Sequence, residues 1–210
     1  MWEQYRNTLP LIAVLQGVRQ EEAESVGQVL FEAGFRLIEV PLDAPEALES
    51  IVRLDRALGD RCLIGAGSVI RLQQIRDAAH AGARLIVSPH GDTRLVQATK
   101  AAGLASAPGV STLTEAFAAL NAGADALRLF PAAQSSPEVL GAWRSVLPAD
   151  LALLPVGGIT PDNMAPWCIA GASGFGLGAA LYYPGSDEKT LSERANAFVS
   201  AWHSGVEGPG

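Results

Sequence analysis

Eight short apolar runs alternating with eight helical patterns, one phrase recurring four times, and a composition of 49% hydrophobic against 18% charged residues over 210 positions predict one α/β domain closed into a (β/α)8, or TIM, barrel. Alternation of this kind is the signature of βαβ units and a parallel sheet. The strands fall at 11–16, 37–42, 62–69, 85–89, 104–110, 126–131, 151–158 and 174–181. Most are continuous apolar runs, as strands covered on both faces should be. Segments 21–33, 45–58, 72–81, 93–102, 112–122, 137–146, 161–170 and 188–202 carry apolar residues at helical spacing with polar opposite faces. Residues 1–8 then form an N-terminal segment, 9–203 the barrel, and 204–210 a disordered, frayed tail.

The recurring phrase is Ala33-Gly34-Phe35-Arg36, Ala81-Gly82-Ala83-Arg84, Ala122-Gly123-Ala124-Asp125 and Ala170-Gly171-Ala172-Ser173, with its glycines 48, 41 and 48 positions apart. Each occurrence closes a helix and opens an even-numbered strand. Its glycine suits the left-handed position just past a helix end, where a Cβ is penalised. An open doubly wound sheet uses the same alternation; a closed barrel is the more economical arrangement of eight units.

Charge and composition narrow the function. Lys plus Arg number 15 against 22 for Asp plus Glu, a net charge of −7, so a phosphodiester backbone is repelled and nucleic acid is not an expected partner. No apolar run approaches the roughly 18–20 residues of a membrane span, and Met1-Trp2-Glu3-Gln4-Tyr5-Arg6 lacks the basic and apolar regions of a signal peptide. A cytoplasmic protein without a membrane partner is expected. Cys62 and Cys168 read as small core residues, and no Cys/His cluster suggests a metal. His90 follows a strand end and Asp43 lies just past the second strand, but neither brings two further ligands with it. His80 and His203 read as surface residues.

Aligned on their glycines, the four phrases carry Glu39, Val87, Arg128 and Gly176 at one strand position. Alternate strands of a barrel contribute to the same interior layer, so Glu39 and Arg128 are expected to share it and to neutralise each other. A buried structural ion pair satisfies this pattern. So does a catalytic pair, because Glu39 and Arg128 stand two or three residues before strand ends, where sites of this fold lie. Glycines cluster at the mouths of the last two strands, in Val156-Gly157-Gly158-Ile159-Thr160-Pro161 and Gly174-Phe175-Gly176-Leu177-Gly178-Ala179-Ala180. Bare backbone amides there favour a phosphate, although tight packing at the rim uses glycine too. The Gly174-x-Gly176-x-Gly178 spacing is not a dinucleotide fingerprint.

The blocks Leu9-Pro10-Leu11-Ile12-Ala13-Val14-Leu15, Ile38-Glu39-Val40-Pro41-Leu42, Ile64-Gly65-Ala66-Gly67-Ser68-Val69, Ile86-Val87-Ser88-Pro89, Pro108-Gly109-Val110-Ser111-Thr112, Leu129-Phe130-Pro131 and Val156-Gly157-Gly158-Ile159-Thr160 follow one another in an order that resembles the KDPG/KDPGal aldolases. The resemblance runs from about residue 9 to 202 and is nearest to the 2-dehydro-3-deoxy-6-phosphogalactonate branch. It implies a (β/α)8 homotrimer that cleaves a 2-keto-3-deoxy sugar acid phosphate to pyruvate and glyceraldehyde 3-phosphate, with no metal or cofactor. By the same resemblance Glu39 matches the proton-moving glutamate, Pro89 and Phe130 line the pocket, Ser68 joins the substrate site, and Gly157, Gly158, Gly178 and Ala179 form the phosphate loops.

Three positions depart from the family pattern. Arg128 stands at the position of the Schiff-base lysine, Gln16 where an arginine usually takes the substrate carboxylate, and Ala179 where a serine often serves the phosphate. A guanidinium stays protonated and has no free lone pair for attack on a ketone. The chain's two lysines, Lys100 and Lys189, fall in helical patterns that read as solvent-facing. Three readings follow: a lyase of this family working through Glu39 and Arg128, a 2-oxo acid enzyme with changed chemistry in which Arg128 holds the carboxylate, and a non-catalytic binder of a sugar acid phosphate.

Overall fold

The computed structural model describes residues 2–207. Eight parallel strands, β1 (Leu11–Val14), β2 (Leu37–Pro41), β3 (Leu63–Gly67), β4 (Leu85–Ser88), β5 (Ala105–Val110), β6 (Ala126–Leu129), β7 (Ala152–Pro155) and β8 (Phe175–Leu177), run in the order β7-β6-β5-β4-β3-β2-β1-β8. A bridge between Val156 and Gly176, with the bond from the Ser173 amide to the Leu153 carbonyl at 2.9 Å, brings β7 against β8, so the sheet forms a nearly closed single-domain (β/α)8 barrel. Helices α2 (Ala23–Glu32), α3 (Ala47–Leu58), α4 (Leu72–His80), α5 (Thr93–Ala101), α6 (Leu113–Asn121), α7 (Pro137–Arg144), α8 (Met164–Ile169) and α9 (Glu188–Glu207) alternate with the strands.

The period of two along each strand sorts the core. Outward side chains such as Leu11, Ile38, Ile64, Leu127, Leu153 and Phe175 join the large cluster under the helices. Inward side chains Ile12, Leu37, Leu63, Leu85, Ala126 and Ala152 fill the barrel interior. The four phrase glycines, Gly34, Gly82, Gly123 and Gly171, have φ between 97° and 108°, the left-handed conformation expected past a helix end.

The molecule differs from the sequence reading at its edges. The first eight residues include a helix, α1 (Trp2–Arg6), whose Trp2 and Tyr5 are buried among the inward residues at the strand starts and close the lower end of the barrel. The C-terminal helix continues to Glu207 where a frayed tail is expected from residue 204, because Gly205 packs closely on Cys168 of α8. Residues 208–210 of that tail lie outside the described residues. All the strands except β5 are shorter than expected at their C-terminal ends, since residues beyond the hydrogen-bonded ladder turn into the upper rim. The helix expected at 161–170 begins instead as a 3-10 turn, Pro161–Asn163. No helix of the described residues is long and apolar enough to cross a membrane.

Candidate active site

At the C-terminal mouth the rim residues enclose a cavity of about 390 Å³. Glu39 from β2 and Arg128 from β6 both line it, with side chains only 2% and 8% exposed. Register explains the meeting: Glu39 pairs with Val14 and Gly65, and Arg128 pairs with Gly109 and Leu154, so both occupy inward positions at one height. Arg128 Nη1 lies 3.8 Å from Glu39 Oε1, an ion pair without a direct hydrogen bond. Glu39 Oε2 and Arg128 Nε are buried with no hydrogen-bond partner. Such groups are costly to leave unpaired, so both atoms are suited to a polar ligand entering the cavity.

Glycine makes room for this pair. A methyl group on Gly67 of β3 would collide with Glu39 Oε1, so the carboxylate occupies the space the missing side chain leaves. Burial pushes the Glu39 carboxyl above its ordinary value; Arg128 opposes the shift and the negative charge of Asp43 adds to it.

The remaining sequence-derived positions all reach the same cavity: Gln16 and Ser68 above β1 and β3, Pro89 and Phe130 above β4 and β6, Gly157 and Gly158 above β7, and Gly178 and Ala179 above β8. Ser68 holds φ at 53°, a left-handed conformation that a non-glycine residue adopts at a cost and that clusters at functional sites. Gly157 and Gly158 have φ of 98° and 78°. Gly176 lies against Val156 with no room for a Cβ, and Gly178 faces open space. The Phe130–Pro131 peptide is cis.

Gln16 is tied to Asp43 at the rim. Its Nε2 donates to both carboxylate oxygens of Asp43, at 2.9 and 3.0 Å, so this side of the rim is negatively charged. His90 is exposed and lies off the cavity wall, and among the described residues no three His, Cys, Asp or Glu side chains converge as a metal site. Lys100 on α5 is bound to Asp125 at 2.7 and 2.8 Å, just before β6 and so at the opposite end of the barrel, while Lys189 pairs with Glu193 on the surface of α9. Neither lysine lines the cavity. Burial pushes the Cys62 thiol up to about 11, consistent with its place in the core.

Asn163 is a residue the sequence reading missed. Its Nδ2 donates to the Gly158 carbonyl at 2.8 Å and its Oδ1 accepts from the Thr160 amide at 3.0 Å, which fixes the glycine loop above β7. The signal was present as Thr160-Pro161-Asp162-Asn163, a polar residue three places after a helix-capping threonine.

Fold and site together define a (β/α)8-barrel protein with a buried acid–guanidinium pair beneath a glycine-walled mouth. The family model described as KDPG and KHG aldolase matches residues 3–189. The chain is 40% identical over 204 residues to 2-dehydro-3-deoxy-6-phosphogalactonate aldolase of Escherichia coli K12, covering 97% of this chain and 100% of that one. It is 42% identical over 193 residues to a probable 2-dehydro-3-deoxy-6-phosphogalactonate aldolase of Rhizobium meliloti, covering 92% and 91%. The native KDPGal structure superposes with a TM-score of 0.93 at 41% identity, covering 95% of this chain and 97% of that one. The chain belongs to the KDPG and KHG aldolase family.

Proposed function

We propose that this chain is an aldolase-type lyase that cleaves a 2-keto-3-deoxy sugar acid phosphate to pyruvate and glyceraldehyde 3-phosphate without forming a Schiff base. The observation that carries the reading is the Glu39–Arg128 pair, buried, 3.8 Å apart and short of hydrogen-bond partners, on the floor of a cavity whose upper wall is glycine backbone. Breaking the C3–C4 bond leaves an electron pair that must be held until a proton arrives. Arg128 supplies fixed positive charge at the C2 oxygen as it becomes an enolate oxygen. Glu39 takes the proton of the C4 hydroxyl as C4 becomes the aldehyde carbonyl, then returns that proton to C3 to complete the methyl group of pyruvate. No cofactor or metal enters these steps. Gly157, Gly158, Gly178 and Ala179 receive the phosphate through backbone amides, and Gln16, Ser68, Pro89 and Phe130 shape the path between the two ends. By family resemblance the chain works in the cytoplasm as a homotrimer; light scattering that gives the mass of a single chain overturns the trimer.

A second reading is favoured by one observation: no lysine lines the cavity. On that reading the pocket binds a sugar acid phosphate or a 2-oxo acid and either performs different chemistry or none. Pyruvate release from 2-dehydro-3-deoxy-6-phosphogalactonate separates the two. The lyase reading expects slow release that chelator does not affect and that Glu39→Ala abolishes. An iminium is conjugated to the breaking bond and a guanidinium is not, so Arg128→Lys is expected to release pyruvate faster and to give a borohydride-trapped adduct at position 128. Release by Arg128→Lys alone supports the second reading. A trapped adduct on a lysine of the unaltered protein overturns the lysine-free mechanism.

A further inference from the structure

The cavity wall above β8 begins at Gly178 and ends in a tie to a distant part of the chain. Residues 178–182 form one turn, with the Leu181 and Tyr182 amides donating to the Gly178 carbonyl at 2.8 and 3.0 Å. Tyr182, 1% exposed, closes that turn, and its hydroxyl donates to Glu22 Oε1 at 2.7 Å across 160 positions of sequence. Glu22 ends the loop that leaves β1 through Gln16. It is itself held, accepting from the Arg19 amide at 3.2 Å and from Arg19 Nη2 at 2.9 Å. The same two loops also touch at Gly17, with φ of 73°, where a Cβ would sit 3.1 Å from the Pro184 ring.

We infer that Tyr182 and Glu22 are positioning residues that hold the Gly178–Ala179 wall at its distance from the β1 rim, and so set the fit of the phosphate end of the substrate. The inference rests on the reading that this wall receives a phosphate. Burial pushes the Glu22 carboxyl up, but the hydrogen bonds from Arg19 and Tyr182 outweigh it and hold the group below its ordinary value, so an ionised acceptor faces the phenol at neutral pH. Tyr182 does not itself line the cavity. It acts through the turn it terminates, in which Gly178, Ala179 and Ala180 line the cavity. Tyr182→Phe keeps the buried ring and removes only the oxygen, leaving Glu22 tied to Arg19 alone.

The test is a titration of the protein with sn-glycerol 3-phosphate followed by phosphorus NMR, which does not depend on turnover. Binding is expected to weaken about tenfold in Tyr182→Phe and in Glu22→Ala, with the double variant no worse than either single one. Glu22→Gln, which still accepts from the phenol, is expected to stay within about twofold of the unaltered chain. Equal binding by all variants, whatever their melting temperatures, overturns the positioning role while leaving the phosphate reading intact. No binding by the unaltered protein removes the phosphate reading and this inference with it.

Discussion

Glu39 sits in an unusual environment: a carboxyl whose Oε2 is buried without a hydrogen-bond partner, one guanidinium at 3.8 Å, and a glycine beside it that leaves just enough space. Because burial holds it above its unfolded value, the native chain binds this proton more tightly than the unfolded chain does. Its contribution to stability is therefore full at low pH and declines as pH rises from the ordinary carboxylate value, about 4.3, upward through the raised native value. Glu39→Gln has no such titration, so its melting temperature relative to the unaltered protein is expected to climb as pH rises above the ordinary carboxylate value. A constant difference over that rise contradicts the assignment. The meeting of Glu39 and Arg128 was legible in the sequence, because one repeated phrase fixed equivalent positions on β2 and β6. The place of Gly67 was not, since the gap it leaves depends on the register between β2 and β3.

At the scale of elements, the recurring phrase does more than end helices. The residue two places after each glycine anchors the start of an even strand: Arg36 donates to the Phe31 and Phe35 carbonyls, Arg84 to those of Gly59 and Cys62, Asp125 accepts from the Ser106 amide, and Ser173 accepts from Leu153. Arg144 of α7 adds to the last of these, donating to the Gly171 and Leu151 carbonyls at 2.7 Å each and to Ser173 Oγ. All of this lies at the end of the barrel away from the cavity, where residues serve stability. Arg144→Ala is expected to cost about 2–4 kcal/mol in urea unfolding by leaving half-buried acceptors unpaired, with KM unchanged at temperatures where the variant is folded. Helix and strand order could be read from periodicity. Strand ends could not, because Pro89, Pro131 and the glycines above β7 and β8 continue an apolar run after the ladder has stopped, and those positions make the mouth.

Over the whole molecule, the short α1 helix escaped the sequence reading because five residues are too few to show a 3.6-residue period; its one trace was the Trp2–Tyr5 spacing on a single face. It caps a lower end whose interior is already filled by Ile12, Leu37, Leu63 and Leu85, and that packing leaves the upper mouth as the route for ligands. Depth along that route is graded, with Glu39 and Arg128 buried and Gly158 and Ala179 exposed. Traffic through a vessel with one neck is last in, first out. With the phosphate received at the glycine rim, as proposed, glyceraldehyde 3-phosphate forms nearer the rim and must depart before pyruvate can pass it. Pyruvate should therefore inhibit competitively against the sugar acid phosphate and glyceraldehyde 3-phosphate noncompetitively, and the reverse pattern would show that the deep fragment escapes first. A packed interior that touches no reacting atom would thus impose a kinetic order on the reaction, simply by making the barrel a dead end.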